Sequence, residues 1–269
     1  MKALFWLTLL FLSMPALNVL YAPAAFGKDE QTIAAMPQGN EAFHAGEILT
    51  YDISWSNVFS AGTVTTFVEK ERLAEGREVF RFVVTGHSVG VVDKVFPVND
   101  RIESVYDPLL LQSLSYSLKE SYGRRKRIRV MEFDPAKKTV ATKLNEAPTE
   151  TLTAPEHVQD SLSAFYYLRT TKDFVIGKHI DIDVVDGDKN WLIEVYVLGK
   201  ETITTPAGAF ATVKVKTHPL YKGVFMNKGE VYAWLTDDSR KIPVLMKGKI
   251  KVGSFVFTLM HIDMGVSKQ

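Results

Sequence analysis

The chain has 269 residues, of which 46% are hydrophobic and 23% are charged, a composition typical of a folded globular protein. It carries 32 Lys and Arg residues against 31 Asp and Glu, so it lacks the basic excess that would favour nucleic acid as a partner. It contains no cysteine, which excludes thiolate catalysis, disulfide bonds and cysteine zinc sites.

The N-terminal segment has the order of a secretory signal peptide. A single charge at Lys2 precedes an apolar run that ends at Leu12, and Pro15 and several small residues follow. A membrane anchor is the alternative, but the apolar run is about half of the roughly 20 residues that a membrane-spanning helix needs. We therefore predict that residues 1–27 are removed and that the mature chain has no transmembrane span.

The remaining chain divides into two parts by composition. Residues 28–42 are polar without an apolar period and are predicted to form a flexible leader. Residues 43–269 are predicted to form a single β-rich domain. With the signal peptide, this organisation predicts an exported protein, located in the periplasm or, alternatively, secreted.

A period of two begins in the first part of this domain. Leu49, Tyr51 and Ile53 alternate with polar residues, as in a strand with one buried face. The pattern recurs in about a dozen segments separated by turn residues such as Asp186-Gly187. It predicts a mainly β fold, with a curved antiparallel sheet or a partly open β-barrel of about a dozen strands. Some segments, such as residues 191–198, are apolar on both faces, which predicts that both faces of the sheet are covered.

The residues Gly86-His87-Ser88-Val89-Gly90 spell G-x-S-x-G, the nucleophile elbow of lipases and esterases. Such an elbow needs a strand, a tight turn and a helix within an alternating α/β chain. Pro97 limits any helix that follows Ser88, and crossover helices are not predicted elsewhere. The sequence therefore predicts no catalytic residue here, and an envelope-directed hydrolase acting on glycan or lipid stays an alternative.

A dense group of positive charges follows in the middle of the chain. As a strand it could dock onto anionic lipid headgroups or an acidic partner, which would suit an envelope assembly factor. An edge strand kept soluble by charge is the other interpretation. The candidate docking residues are Arg124, Arg125, Lys126, Arg127 and Arg129.

One segment, residues 157–172, has helical rather than strand spacing. Leu162, Phe165, Tyr166 and Arg169 recur at helical intervals, and Asp160 or Ser161 can cap the start. A single packed α-helix is therefore predicted across or inside the sheet, with an apolar groove between the two. Its candidate lining residues, for which plain core packing is the stronger alternative, are Tyr51, Trp55, Phe165, Tyr166, Trp191 and Trp234.

His179, Asp181 and Asp183 alternate along a predicted strand, so their side chains share one face. A histidine with two carboxylates could hold a metal ion, although strand alternation alone also places polar residues there. These three residues are a weak candidate metal site. No cofactor is predicted, because nucleotide-binding and zinc-protease motifs are missing from the sequence.

Several phrases together resemble a bacterial family labelled domain of unknown function 3108. They include FHAGEILTYDISWSNVFSAGTV, GHSVGVVDKVFPVNDRIESVYDP, QDSLSAFYYLR, LGKETITTPAGAFATVKVK and VYAWLTDDSRKIPVLMKGKIKVGSFVFTL. The resemblance spans roughly residues 43–262 and implies one exported envelope domain with a mostly antiparallel β fold. It implies no activity and no catalytic residues. The leading functional expectation is a non-enzymatic periplasmic protein that binds a lipid, another amphiphile or an envelope protein.

Overall fold

The computed structural model of the protein describes residues 42–56, 58–123, 125–222, 224–225, 231–249 and 253–265. The predicted signal peptide, nearly all of the predicted leader and Arg124 lie outside the described residues. Ala42, at the end of that leader, is buried with a relative exposure of 3%.

Fifteen strands and two helices make up the described chain. The helices are α1 (Gly90–Val95) and α2 (Ser163–Thr170). The strands are β1 (Ile48–Trp55), β2 (Phe59–Arg72), β3 (Glu78–Ser88), β4 (Asn99–Asp107), β5 (Gln112–Tyr122), β6 (Arg125–Asp134), β7 (Thr139–Leu144), β8 (Glu150–Thr153), β9 (His179–Asp186), β10 (Lys189–Thr205), β11 (Gly208–Tyr221), β12 (Val224–Phe225), β13 (Val231–Thr236), β14 (Pro243–Lys249) and β15 (Ser254–Asp263).

All strands belong to one antiparallel sheet. Its order is β8-β7-β6-β5-β4-β3-β2-β1-β15-β14-β13-β11-β10-β9, and β12 pairs with β11 outside this path. Most neighbours are consecutive in sequence, and the pairing of β1 with β15 joins the first and last strands of the described chain. The predicted mainly β fold with an antiparallel, partly open sheet is confirmed, since β8 and β9 stay as separate edges.

The two edges approach each other without forming a ladder. Arg129 Nη1 of β6 lies 2.6 Å from Asp186 Oδ1 of β9, and Asn190 Nδ2 donates to the Thr153 carbonyl at 2.7 Å. The segment before α2 also crosses the gap, because the Gln159 N–H donates to the Asp183 carbonyl at 2.9 Å. These side-chain contacts, together with the backbone segment before α2, connect the two ends of the curved sheet, which is therefore nearly closed into a barrel.

The helix α2 lies against the inner face of this sheet. Tyr166 and Leu168 are buried, and the Tyr166 ring stacks on the Phe82 ring of β3 with centroids 3.7 Å apart. Each buried side chain of this size contributes about 1.5–3 kcal/mol to folding. The helix therefore fills the interior that the sheet encloses, as the sequence predicted for a single packed helix.

The helix is shorter than the predicted segment 157–172, and it begins later. Residues before it use their backbone groups elsewhere: the Asp160 N–H donates to Ser113 Oγ, and Gln159 pairs with β9. Asp160 nevertheless caps the helix as predicted, since its Oδ1 accepts the N–H groups of Leu162 and Ser163 at 2.8 and 2.9 Å.

The prediction that both faces of the sheet are covered holds only in places, since Val256 on the outer face of β15 is 3% exposed while other residues of that face are open to solvent. The inward residues Trp191, Ile193 and Val195 of β10 are buried, whereas Leu198 on its outer face is 44% exposed. Met260 on the outer face of β15 is 40% exposed. No helix in the described part of the chain is long and apolar enough to cross a membrane.

Candidate functional site

A small cavity separates the helix α2 from the sheet. Its volume is about 40 Å³, room for roughly three water molecules at 10–15 Å³ each. Strands β1 to β4, β14 and β15 form one wall, and α2 with the residues before it forms the other. The lining residues are Leu49, Tyr51, Val64, Thr66, Val84, Ile102, Ser161, Leu162, Phe165, Tyr166, Arg169, Met246 and Phe257.

The six aromatic candidates from the sequence fall into three places. Tyr51, Phe165 and Tyr166 line the cavity. Trp55 and Trp191 belong to the core but not to the lining; Trp55 packs edge-to-face on Phe255 and Trp191 packs on Tyr221. Trp234 is also buried, with 8% exposure, but it projects to the face opposite Ala233 and Leu235, where its Nε1–H donates to Glu201 at 2.6 Å and the Lys214 ammonium lies 4.8 Å from its ring.

A buried ion pair lies at the C-terminal end of α2, beside the cavity. The Arg169 guanidinium donates to both carboxylate oxygens of Glu47 at 2.7 and 2.8 Å, and both side chains are 0% exposed. Arg169 also donates to the carbonyls of Ala42 and Arg240. Since four of its five N–H donors and its charge are taken by protein acceptors, Arg169 serves mainly as a structural cation.

The tyrosine hydroxyls in the lining stay protonated at neutral pH. Burial raises the pKa of Tyr51 well above its ordinary value, only partly offset by Arg169, and burial likewise raises the pKa of Tyr166. Tyr51 donates its hydroxyl to the Pro243 carbonyl at 3.0 Å. The Thr66 hydroxyl, a neighbour of Tyr166, is buried without a well-formed hydrogen bond.

A closed polar network anchors the N-terminal end of α2. Asp160 is fully buried, and its Oδ2 accepts the hydroxyls of Ser104 and Ser113 at 2.5 and 2.8 Å. Burial raises the pKa of Asp160, whereas these hydroxyls and the capped N–H groups favour its charged form. Every acceptor site faces a protein donor, so this carboxylate is committed to holding the helix.

Ser88 of the G-x-S-x-G sequence is not placed as a nucleophile. It closes β3, and its hydroxyl donates to Asp93 Oδ1 at 2.6 Å while accepting the Val98 N–H at 2.8 Å. A short helix, α1, follows Ser88, and this helix was not predicted from the sequence. No histidine is among the hydrogen-bond partners that Ser88 has in the described chain, so the arrangement is not the serine–histidine pair of a catalytic triad.

The candidate basic strand is β6, and its charges differ in their environment. Arg127 lies 3.3 Å from Glu120, and Arg129 is paired with Asp186, so these two cations are used within the protein. Arg125 and Lys126 are exposed. Only part of the predicted docking surface is therefore available to an anionic partner.

The candidate metal site of one histidine and two carboxylates lies on the outer face of β9, but one of its three residues differs from the prediction. His179 Nε2 is 3.4 Å from Asp181 Oδ1, and the third nearby ligand is Glu194 on β10, not Asp183. One ligand atom from each of these three residues lies within 4.8 Å of the others. Glu194 was not predicted, because the prediction rested on alternation along one strand only.

The solved structures that a structural comparison finds share little sequence with this chain. A protein of domain of unknown function DUF1849 from Brucella abortus, described as β-barrel-like, has a TM-score of 0.54 and 11% identity, covering 84% of this chain and 100% of that one. A candidate exported protein with a YmcC-like fold from Bacteroides fragilis NCTC 9343 has a TM-score of 0.36 and 12% identity, covering 82% and 97%. A candidate lipoprotein from Parabacteroides distasonis has a TM-score of 0.33 and 11% identity, covering 82% and 96%.

The first of these similarities supports the barrel-like architecture, and none of them transfers a role. A search of curated proteins finds no match. A family model, by contrast, matches residues 50–260, which is most of the chain. The chain belongs to the family described as Protein of unknown function (DUF3108), as its sequence phrases predicted.

Proposed function

We propose that this protein is exported to the bacterial periplasm and there binds an apolar or amphiphilic envelope molecule between α2 and the sheet, without chemical conversion. The N-terminal pattern of one charge, an apolar run and small residues supports export. The cavity is the observation that carries the binding proposal.

The cavity wall suits an acyl chain or a similar apolar group. It is formed mostly by aliphatic and aromatic side chains, such as Leu49, Val64 and Ile102. Ligand pockets are commonly apolar with a few polar groups that fix orientation. The Thr66 hydroxyl is such a group, because it is buried and a ligand's polar end could complete its hydrogen bonding.

The size of the cavity dictates how a ligand enters. A volume of about 40 Å³ does not accommodate a lipid as it stands. Phe165 is the apolar lining residue that is only half-buried. Rotation of its side chain is therefore the movement that would enlarge the cavity while the backbone of α2 stays in place.

The proposal is tested with protein expressed with its own N-terminal segment and purified without detergent. Organic extraction followed by mass spectrometry should show a co-purifying amphiphile. Titration with a dansyl-labelled fatty acid should give saturable fluorescence. Absence of both signals would contradict the proposal.

A pair of matched variants separates cavity binding from binding elsewhere. Val64 and Val68 both face inward from β2 and are 3% and 2% exposed, but only Val64 lines the cavity. Enlarging either side chain to phenylalanine should cost about 1–3 kcal/mol of stability through overpacking. Val64→Phe should abolish fatty acid binding and Val68→Phe should retain it; equal binding by both variants would place the ligand outside the cavity.

A further inference from the structure

We propose that His179, Asp181 and Glu194 form a binding site for a divalent transition-metal ion of the zinc type on the outer face of the sheet. The site is separate from the cavity and does not depend on the function proposed for it. Its three donor residues lie on the neighbouring strands β9 and β10.

The register of the two strands brings the donors together. Asp181 pairs directly with Glu194, and residues opposite each other in an antiparallel pair project to the same face. His179 lies two residues before Asp181 and shares that face. The ligand atoms of the three side chains are within 4.8 Å of one another, with His179 Nε2 already 3.4 Å from Asp181 Oδ1.

Tyr196 holds two of the three donors in place. Its hydroxyl donates to Glu194 Oε2 at 3.0 Å, which orients the carboxylate and leaves Oε1 for an ion. Its ring lies 5.1 Å from the imidazole of His179, centroid to centroid. Groups that fix the orientation of ligands in this way are a regular part of metal sites.

The local charge is negative and lacks a strong cation. Asp181 and Glu194 repel each other, and Asp183 is a third carboxylate on the same face. Within the described chain none of the three forms an ion pair with lysine or arginine, so a divalent ion would relieve this repulsion.

The donor set selects the kind of ion. Imidazole nitrogen and carboxylate oxygen are both ligands that zinc accepts, and a tetrahedral site with three protein ligands leaves the fourth position to water. The His179 and Asp181 side chains are 37% and 46% exposed, so water can reach that position. Calcium requires six to eight oxygen ligands, and magnesium prefers carboxylate and water oxygens, so the imidazole nitrogen of His179 favours a transition-metal ion over both.

The test is calorimetric titration of the untagged mature protein with Zn²⁺ after dialysis against a chelator. One saturable site per chain is expected. His179→Ala and Glu194→Gln should each weaken binding by more than the roughly 10–100-fold that changes to orienting groups cause. Asp183→Asn, on the same strand and face but outside the donor set, removes a nearby negative charge and no ligand, so it should weaken binding far less than either of these changes.

A second measurement guards against loss of folding in the variants. Zn²⁺ should raise the thermal midpoint of the wild type and of Asp183→Asn, because a ligand that binds only the folded state stabilises it, and it should leave His179→Ala unchanged. Zinc binding that survives His179→Ala would overturn the proposal. So would equal weakening by Asp183→Asn and Glu194→Gln, or displacement of Zn²⁺ by millimolar Ca²⁺.

Discussion

The substitution Glu47→Gln should destabilise the protein strongly, because it leaves the charge of Arg169 buried without a counter-ion. Both side chains have no solvent exposure, and two hydrogen bonds of 2.7 and 2.8 Å join them. A glutamine can accept one of these bonds but cannot neutralise the guanidinium. Removing one partner of a buried pair costs about 3–5 kcal/mol.

A double substitution distinguishes a charge effect from a packing effect. Glu47→Leu combined with Arg169→Met removes both charges and keeps apolar volume, a replacement that is often neutral in other proteins. Here the carbonyls of Ala42 and Arg240 also lose their donor, at about 1–3 kcal/mol each where they stay unpaired. The double variant should therefore recover part of the loss seen in Glu47→Gln and remain below the wild type.

The assay is urea unfolding followed by far-UV circular dichroism, with thermal unfolding alongside. At about 2–4 °C per kcal/mol, the thermal midpoint of Glu47→Gln should fall by about 6–20 °C. The exposed pair between Lys138 and Glu156 is the matched control, since its side chains are 56% and 66% exposed. Glu156→Gln should cost less than about 1 kcal/mol. A Glu47→Gln variant as stable as this control would refute the reasoning.

Three further outcomes follow from other contacts. Asp160→Ala should cost at least about 3 kcal/mol in urea unfolding, because it removes a helix cap and leaves the buried hydroxyls of Ser104 and Ser113 without their acceptor; a loss below 1 kcal/mol would contradict this. Burial raises the pKa of Asp100 from its ordinary value of 3.8 to about 7. Between these two pH values the folded chain keeps a proton that the unfolded chain has released, so the free energy of unfolding should fall as the pH rises. Asp100→Asn should flatten that slope in unfolding measured at several pH values, and an unchanged slope would assign it to other groups. Ser88→Ala should leave any hydrolysis of p-nitrophenyl esters at the wild-type rate. Loss of this hydrolysis in the variant would indicate that Ser88 is a nucleophile.

The fold could be predicted to the level of class because its signals are local. Alternation such as that of Leu49, Tyr51 and Ile53 is written in adjacent residues, and turn residues separate the strands. The helix α1 gave no such signal, since none of its six residues is buried and Val91 and Val95 are 76% and 77% exposed. Without a buried face, a helix of this length has no apolar period to detect.

The site was predicted less well because it depends on which face is inside. Alternation groups residues by face without naming the inner one. Trp234 looked like an inner residue by its size, but its neighbours Ala233 and Leu235 point into the core, and Trp234 shares its face with Lys214 across the ladder. Aromatic content therefore identified Tyr51 correctly as a cavity residue but could not separate it from a tryptophan on the opposite face.

Glu194 was missed although the sequence contains a signal for it. Gly187 and Asp188 form a two-residue loop, so Asp186 pairs with Lys189. Counting five residues outward along both strands from that pair places Asp181 opposite Glu194. Register counted from a hairpin turn thus reaches across strands, where the spacing within HIDID could only suggest Asp183.

The polar groups around α2 also limit what the helix can do in binding. Asp160 fixes its start to β4 and β5 through Ser104 and Ser113, and Arg169 fixes its end through Glu47, which directly precedes β1. The cavity lies between these two anchors. Moving the whole helix outward would break both and expose a buried carboxylate and a buried guanidinium, which is far more costly than rotating one side chain. A ligand that enters this cavity should therefore displace the Phe165 side chain and leave the helix in place. The backbone amides of α2 should then stay protected from hydrogen exchange when a fatty acid binds. Loss of that protection would show that the contacts at the two ends of the helix open.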